Sequence, residues 1–382
     1  MKLLAVDEYI KFECIGGDCP ISCCGGNWGI MIDEESMEYY RNVKGEFGDR
    51  LRDGITIMNG QPAFTFNDHR DCIFLNENKL CEIYRHIGPD ALCDTCKNYP
   101  RMMYEVGDML FCFLTNSCPE VNRMIMTRED PIQILFDDSE VEDNEIRDYD
   151  KNRFDRALKA YTAGIHLLQK RSITLRERLA LLLMFVNRFQ DMERNGLDPT
   201  GIIEVFSTEE MYMKLIQNSL LSKRDYVSKI HAFMIIFKTL LSDAYDHPMW
   251  YRLMKLADRV TDQGINDIEA LENAFDSMDR EEIQIELEQI MVYRFFAVFM
   301  QGFENIDHYE KLVYEYIIYA ALLTYIALEG MGKEGGCSRE DRILYYSVCS
   351  RIEHSDKQKK GLIDAMANDG LYELAEAFKL IS

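Results

Sequence analysis

The residues of this 382-residue chain best suited to chemistry are its cysteines. Twelve occur, and ten of them fall between Cys14 and Cys118. Their spacing is Cys14-x4-Cys19-x3-Cys23-Cys24, then Cys72-x8-Cys81, Cys93-x2-Cys96, Cys112 and Cys118. Ligation by sulfur alone suits an iron–sulfur cluster or a structural zinc ion and excludes magnesium and calcium. The sequence therefore predicts a sulfur-ligated metal site in the first third of the chain.

Disulfide bonds and inert buried thiols are the alternatives to a metal site. Ten clustered cysteines in a secreted domain would indicate disulfides. Here Met1–Val6 runs directly into Asp7 and Glu8 without a signal-peptide pattern, so we expect a cytoplasmic protein whose thiols stay reduced. The longest apolar run, 316–328, is too short to span a bilayer, so we expect it to form a buried helix and expect no membrane span.

Iron–sulfur and zinc remain open on spacing alone. A zinc ribbon usually carries two Cys-x2-Cys pairs, whereas this array has one. The wide spread of the cysteines and the adjacent pair Cys23-Cys24 favour a cluster. Only His69 and His86 lie in this region, so a catalytic zinc held by several histidines is not expected.

Three further residues lie close to cysteines in the sequence. Trp28 is expected to pack over the site, and Arg101 to lie near an anionic cofactor or, more simply, to pair with a carboxylate. Glu120 follows Cys118-Pro119 and is either a base or a helix-start residue, since helix N-termini favour acids. We favour the structural role for each of the three.

Charge and composition limit the partners. The chain has 43 basic and 66 acidic residues, a net charge of -23, which repels nucleic acids and anionic membranes and attracts basic, lysine-bearing polypeptides. With 47% hydrophobic residues the chain is expected to be globular. Acidic residues are concentrated in the segment 137–150, which is expected to be an exposed linker or, less simply, a lysine-attracting patch.

The predicted fold is mainly α, with an irregular cysteine-rich metal-binding N-terminal domain followed by a multi-helix C-terminal domain. We place the metal domain at 1–125, an acidic linker at 126–150 and an all-helical domain at 151–382. Within the first, a helix is predicted at 33–44 and extended segments near 63–66 and 109–114. Capping boxes at 174–177 and 207–210 predict helix starts, and the run 291–296 is expected in the core. We find no GxGxxG motif and no phosphate loop.

Four blocks in order resemble one known family. They are Cys14-x4-Cys19-x3-Cys23-Cys24-Gly-Gly-Asn-Trp28, then Cys72-Ile-Phe-Leu75 with Leu80-Cys81-Glu-Ile83, then Ala91-Leu92…Thr95-Cys96…Tyr99-Pro100-Arg101, and Ser117-Cys118-Pro119-Glu120. With these blocks the chain resembles the flagellin lysine-N-methylases of bacteria, which are related to the YkgJ-type zinc- or iron-chelating domains. The resemblance is specific over about 15–125 and only architectural in the helical remainder.

The resemblance implies transfer of methyl groups from S-adenosylmethionine to lysine side chains of flagellin, in a cytoplasmic protein that carries a [4Fe-4S] cluster, with zinc as the alternative metal. The positions that match the family's metal-binding cysteines are Cys14, Cys19, Cys23, Cys24, Cys72, Cys81, Cys96 and Cys118. Eight thiolates exceed what one such cluster requires, while Cys93 and Cys112 look like additions. The Cys-x3-Cys-x2-Cys motif of enzymes that cleave S-adenosylmethionine reductively is absent, because Cys24 directly follows Cys23.

Two other functions compete with methyl transfer. The metal domain could serve iron–sulfur redox chemistry or another peptide modification, or it could be a structural zinc-binding interaction module. The sequence assigns neither a catalytic residue nor a pocket for S-adenosylmethionine. Polar methyl transfer requires a neutral lysine amine positioned in line with the sulfonium methyl group, so a desolvated pocket or a nearby base is needed to remove a proton.

Overall fold

A computed structural model describes residues 2–25, 29–58, 60–137, 148–208, 224–241, 248–261, 268–331, 333 and 336–382. Helices dominate this part of the chain, and a small sheet lies within its first third, so the predicted fold class is confirmed. The α-helices of the described residues are α1 (Asp7–Lys11), α2 (Glu34–Asn42), α3 (Glu46–Asp53), α4 (Glu82–Ile87), α5 (Asp94–Asn98), α6 (Pro119–Met126), α7 (Lys151–Leu168), α8 (Leu175–Arg194), α9 (Thr200–Phe206), α10 (Tyr226–Leu241), α11 (Pro248–Thr261), α12 (Ile268–Asp276), α13 (Glu281–Val298), α14 (His308–Gly330), α15 (Arg339–Ser350), α16 (Asp356–Asn368) and α17 (Leu374–Ile381). The strands are β1 (Lys2–Val6), β2 (Ile55–Met58), β3 (Gln61–Phe64), β4 (Arg101–Val106), β5 (Met109–Leu114) and β6 (Ile134–Asp137).

A four-stranded mixed sheet has the order β4-β5-β1-β6. Strand β1 runs parallel to β5 and antiparallel to β6, while β4 and β5 form a hairpin. A two-residue turn at Gly107 and Asp108 joins β4 to β5, and the φ of +59° at Gly107 suits the glycine position of a tight hairpin turn. The hairpin thus leads from Arg101 to Leu114, close to the next cysteine, Cys118.

The sheet packs against the C-terminal helices in one large apolar core. Phe111 of β5 lies between Tyr161 of α7 and Phe296 of α13, with ring centroids 6.0 and 6.4 Å away. The hydroxyl of Tyr293 accepts a bond from the backbone N–H of Leu114 at 2.6 Å and donates to its carbonyl at 2.8 Å. These contacts fix the end of β5 against α13.

The cysteine-rich part has a second, smaller core. Phe64 lies between Tyr40 and Phe74, with ring centroids 5.8 and 5.2 Å away. Cys72 and Cys93 are buried members of the same cluster. The loops that carry the cysteines therefore rest on apolar packing of their own.

Helix α14 forms the centre of the large core. It is the one described helix long and apolar enough to cross a membrane, but its most apolar 18-residue window is fully buried inside the molecule. The run 316–328 lies within it, so the expectation of a buried helix agrees with the structure. Residues 291–296 are likewise buried, as expected.

Several local predictions agree with the structure and others lie outside it. The helix predicted at 33–44 is α2, and both bonds of the capping box at Thr174 and Glu177 are present. Strands β3 and β5 cover most of the predicted extended segments. The second capping box, 207–210, extends beyond the described residues, as does most of the acidic stretch 137–150.

The strands of the N-terminal region link it to the helical region. Strand β6 falls within 126–150 and pairs with β1, so part of the segment predicted as an acidic linker belongs to the sheet. That sheet shares the large apolar core with the C-terminal helices. The domain boundaries at 125 and 150 themselves remain predictions.

Candidate functional site

Seven of the eight cysteines predicted as metal ligands line one cavity of about 740 Å³. They are Cys14, Cys19, Cys23, Cys24, Cys81, Cys96 and Cys118. Apolar side chains such as Phe12, Leu80 and Leu92 share the wall. The volume is within the range of roughly 300–1,000 Å³ that is typical of small-molecule sites. The folded chain therefore gathers thiols that are up to 104 residues apart in sequence, from Cys14 to Cys118.

Short helices position three of the cysteines. Cys81, Cys93 and Cys118 each precede the first residue of a helix, namely α4, α5 and α6. Burial raises the pKa of Cys118 to about 12, while backbone N–H groups of Glu120 and Val121 act in the opposite direction by hydrogen bonding its sulfur. Amides at a helix start stabilise a thiolate, but at Cys81 and Cys118 burial outweighs them and the pKa of each thiol is raised.

Two pairs of thiols are in direct contact. A hydrogen bond between the thiols of Cys23 and Cys24 lowers the pKa of Cys23 to about 7 and raises the pKa of Cys24. The thiols of Cys93 and Cys96 form a similar bond, which lowers the pKa of Cys93 and raises that of Cys96. In each pair one thiol donates the hydrogen bond, and the thiol that accepts it ionises more readily.

Cys72, the eighth predicted ligand, lies behind the cavity wall. Its backbone N–H donates to the carbonyl oxygen of Cys24 at 2.7 Å. Burial raises the pKa of Cys72 to about 12, and the nearby thiols of Cys81, Cys93 and Cys23 raise it further. Cys93, which looked like an addition on sequence grounds, therefore lies among the predicted ligands.

The thiols fall into two groups that meet at the Cys23-Cys24 turn. The thiols of Cys19 and Cys23 raise the pKa of Cys118 electrostatically. The thiols of Cys14 and Cys23 raise the pKa of Cys19 in the same way. On the other side of the turn, the thiols of Cys72 and Cys81 raise the pKa of Cys24. We call these the Cys118 group, with Cys14, Cys19, Cys23 and Cys118, and the Cys72 group, with Cys24, Cys72, Cys81, Cys93 and Cys96.

The remaining cysteines do not line this cavity. Cys112 lies within β5 opposite Ala5 and Met103, and its thiol accepts a hydrogen bond from Tyr9. Cys337 and Cys349 are buried in the helical region. None of the twelve cysteines, all of which lie among the described residues, takes part in a disulfide bond.

The thiols are suitable ligands for a sulfur-ligated metal, but they are not arranged around a single metal position. Among the residues that the structure describes, no three His, Cys, Asp or Glu side chains are arranged so as to hold a metal ion. Seven thiols nevertheless line a common cavity, and those of Cys72 and Cys93 lie close to them. Thiol ligation of an iron–sulfur cluster or zinc thus remains a prediction supported by donor type and proximity.

The C-terminal helical region contributes two side chains to the site, and sequence reasoning missed both. The guanidinium of Arg351 donates to the carbonyl oxygens of Ser22 at 3.1 Å and Gly25 at 3.4 Å. These carbonyls flank Cys23 and Cys24, so Arg351 holds that turn from both sides. Its positive charge also lowers the pKa of Cys23.

His354 is the second contribution and lines the cysteine cavity itself. Its Nε2 lies 2.7 Å from the hydroxyl oxygen of Ser117 and 3.1 Å from that of Thr115. The Ser117 hydroxyl is also 3.1 Å from the Tyr99 hydroxyl. Burial lowers the pKa of His354, the charge of Glu353 opposes this shift, and Arg351 and Arg294 add to it. The net shift is downward, so the neutral imidazole predominates at pH 7. No motif in the sequence marks either His354 or Arg351.

The other residues singled out from the sequence have structural partners. Arg101 lies over the rings of Phe12 and Tyr9, at 5.5 and 5.8 Å from their centroids, and lines the cavity. Glu120, also on the wall, accepts a bond from Arg123 at 3.1 Å. Glu120 lies in the first turn of α6, as expected of a helix-start residue. Arg101 instead contacts aromatic rings and the carbonyl oxygen of Phe12, and its expected pairing with a carboxylate is not seen among the described residues.

Of the two histidines in the cysteine-rich region, neither lines the cavity. The ring of His86 stacks on Phe47 with centroids 4.4 Å apart, and His69 is exposed. Trp28, which was expected to cover the site, lies outside the described residues.

Comparison with known proteins decides the family. A sequence model described as the FliB lysine N-methylase C-terminal domain matches residues 162–380, more than half of the chain. The chain belongs to the FliB lysine N-methylase family. The family resemblance seen in the cysteine motifs is therefore confirmed. The confirmation comes from the helical region, in which the sequence analysis found no short motif of the family.

Curated relatives are distant from this FliB-family chain. It is similar to flagellar biosynthetic protein FliU of Salmonella muenchen, with 26% identity over 148 residues that cover 35% of this chain and 84% of FliU. It is also similar to lysine-N-methylases of Salmonella typhimurium and Salmonella choleraesuis, each with 25% identity over 143 residues. Those matches cover 35% of this chain and 35% of each methylase. No solved structure matches the chain.

Proposed function

We propose that this protein transfers methyl groups from S-adenosylmethionine to lysine side chains of flagellin or a similar protein subunit. One observation carries the proposal: the helical region that matches the family model supplies His354 to the wall of the cysteine cavity and Arg351 to the backbone of the Cys23-Cys24 turn. Lysine N-methylation is the activity for which the family is named. The flagellin substrate is supported by the flagellar relative FliU.

The reaction forms one bond and breaks one bond. The lone pair of the lysine Nζ attacks the methyl carbon of the sulfonium, the new N–C bond forms, and the C–S electron pair stays on sulfur as S-adenosylhomocysteine leaves. The lysine ammonium must first lose a proton, because a protonated amine has no lone pair to donate. Positioning of the two reactants lowers most of the barrier in such a transfer.

The cysteine cavity offers groups for these tasks. Arg101 and Glu120 place a positive and a negative charge on its wall, which would suit the carboxylate and ammonium groups of S-adenosylmethionine. His354 is neutral at pH 7 because burial lowers its pKa, so it is able to accept a proton. Ser117 and Thr115 hold the ring through hydroxyls 2.7 and 3.1 Å from Nε2. We assign His354 the role of proton acceptor.

The thiols would hold an iron–sulfur cluster, with zinc as the alternative metal. A [4Fe-4S] cluster takes four thiolates, and each of the two cysteine groups contains at least that number. When bound, such a cluster supplies redox capacity or structural cross-linking. We place the protein in the cytoplasm, the reducing compartment in which closely spaced thiols stay available for a metal.

Binding of S-adenosylmethionine to the purified full chain tests the proposal. We expect saturable binding by isothermal titration calorimetry, with the product S-adenosylhomocysteine competing for the same site. As a matched pair, Cys118→Ser alters the cavity wall, whereas Cys112→Ser lies outside it. We expect only the first to weaken binding. Absence of binding at millimolar cofactor, with the fold intact by circular dichroism, would contradict the proposal.

A further inference from the structure

A second cavity of about 440 Å³ adjoins the cysteine cavity. It lies between the β4–β5 hairpin and the helices α13, α14 and α16. His354 lines both cavities, so the same imidazole ring faces the two spaces. Thr115, which bonds to His354, also belongs to this second wall.

Three buried acceptor atoms on this wall have no hydrogen-bond partner. They are Asp307 Oδ1, Glu310 Oε2 and the hydroxyl oxygen of Tyr314. A buried polar atom without a partner is costly, and it marks a place where an absent ligand can supply the missing bond. The other oxygens of the two carboxylates are already used: Glu310 pairs with Arg194 at 2.9 Å, and Asp307 lies 3.7 Å from Lys311.

Helical geometry places these three residues on one face. Asp307 immediately precedes α14, and Glu310 and Tyr314 follow at spacings of three and four residues. The side chain of Tyr314 is well buried, with 9% of the residue exposed, and its hydroxyl lies in the electrostatic range of Glu315 and Glu353. The first two turns of α14 thus present two carboxylates and a hydroxyl to the cavity.

The charges on the cavity wall leave these acceptors available. Arg294 is held by Glu315 through bonds of 2.7 and 2.8 Å, and it also bonds Glu353. Lys359 lines the cavity as well, but that residue is exposed. Apolar lining from Met102, Phe113, Val298 and Ile363, with the ring of Tyr372, suits an aliphatic chain. The wall therefore combines an apolar channel with unpartnered acceptors.

We infer that this second cavity binds the side chain of the lysine to be methylated, with its ammonium group among Asp307, Glu310 and Tyr314. An ammonium has three N–H donors and no acceptor, which matches three unpartnered acceptors. The assignment of the ligand to a protein lysine rests on the proposed methyltransferase function. His354 lies on the wall that this cavity shares with the cavity assigned to the methyl donor.

Binding of a lysine mimic tests this site without requiring any methyl transfer. The probe is Nα-acetyl-lysine methylamide, titrated into the full chain by calorimetry, and its control is the norleucine analogue, which has a similar stem without the ammonium. We expect the lysine probe to bind at least tenfold more tightly, because a hydrogen bond to a charged group contributes substantially. A free polyamine that binds while the acetyl-lysine probe does not would overturn the assignment to lysine.

Variants separate ligand binding from folding. Tyr314→Phe removes only an unpartnered hydroxyl, so we expect unchanged stability but about tenfold weaker binding of the lysine probe. Asp307→Asn should weaken it by a similar factor, whereas Asp364→Asn on the exposed surface of α16 should not. Equal affinity of both variants and wild type, or equal binding of the norleucine analogue, would overturn the inference.

The outcome is distinguishable from failure of the proposed function. If the lysine probe binds as expected but no methyl transfer occurs, the amine site stands and the methyltransferase proposal fails. If methyl transfer occurs with the same KM for flagellin in wild type and Tyr314→Phe, the proposed function stands and the amine site is wrong. We expect the variant to raise this KM about tenfold and to leave the Kd of S-adenosylmethionine unchanged.

Discussion

The Nε2 atom of His354 lies 2.7 Å from the hydroxyl oxygen of Ser117, although 237 residues separate the two in sequence. Ser117 directly precedes Cys118, at the start of α6, whereas His354 ends the 3₁₀ helix Arg351–His354 of the helical region. The bond therefore joins the cysteine loops to the region that defines the family. It makes the cysteine cavity a product of both parts of the chain.

Replacement of His354 tests its assigned role as a proton acceptor. We expect His354→Gln to slow methyl transfer by about 10²- to 10⁴-fold at saturating substrates, because general base catalysis typically contributes that much. Initial rates with flagellin measure the effect, and His231→Gln, an exposed histidine paired with Asp369, is the control. Equal rates for the two variants would show that His354 is not the base.

The pH profile of kcat gives an independent test of the same role. Burial lowers the pKa of His354, so the acid limb of the wild-type profile should lie below the usual histidine pKa of about 6.5. Activity should be constant from pH 7 down to that limb and fall as the ring becomes protonated. The limb should be absent from the residual activity of His354→Gln. An acid limb that persists in His354→Gln would show that a group other than His354 titrates.

Metal content tests the two cysteine groups. We expect iron and acid-labile sulfide in protein purified without oxygen, and a visible absorbance that dithionite bleaches. Because Cys118 lines the cavity and Cys112 lies in β5, Cys118→Ser should reduce iron content while Cys112→Ser leaves it unchanged. Zinc without acid-labile sulfide would indicate a structural metal site and not an iron–sulfur cluster. Equal iron in both variants would place the ligands elsewhere.

Protein stability should depend on pH through His308. Burial lowers its pKa to about 4, and its Nδ1 lies 2.8 Å from the carbonyl oxygen of Phe299. The unfolded chain binds a proton near pH 6.5 and the folded chain only near pH 4, so stability present above pH 6.5 is lost as pH falls between these values. The loss amounts to about 3 kcal/mol for this one group.

Urea unfolding between pH 7 and 4 measures that loss. In His308→Gln the side chain cannot take up a proton, so the fall in unfolding free energy over this interval should be smaller by about 3 kcal/mol. His166→Gln, which changes an exposed residue of α7, is the matched control. The same pH dependence in His308→Gln and wild type would show that His308 does not titrate in this way.

Alanine substitutions at two helical glycines should change the stability of the protein in opposite directions. A Cβ at Gly164 in α7 would lie 2.5 Å from the buried ring of Phe295, so we expect Gly164→Ala to destabilise by about 1–3 kcal/mol. Around Gly361 in α16 nothing lies within 4 Å, and Gly361→Ala should stabilise by about 0.5–1 kcal/mol through helix propensity. Midpoints of urea unfolding measure both changes, and shifts of the same sign would contradict the packing described here.

The sequence predicted the helical class because helices follow from local patterns, and it predicted the gathering of the cysteines from their residue type and their clustering in the first third of the chain. Helix α2 and the capping box at Thr174 follow from residues a few positions apart. Strand β1 was not predicted, since Lys2–Val6 becomes a strand only by pairing with β5 and β6, more than 100 residues away. Arg351 and His354 reach the site only through tertiary packing, which no spacing in the sequence reveals.

The most direct test of the central claim is mass spectrometry of flagellin after incubation with this protein and methyl-labelled S-adenosylmethionine. The account predicts label on lysine Nζ atoms, at a rate reduced by more than tenfold in His354→Gln. Flagellin that remains unlabelled, although the protein binds S-adenosylmethionine and contains its metal, would contradict the assignment of flagellin lysine methylation to this chain.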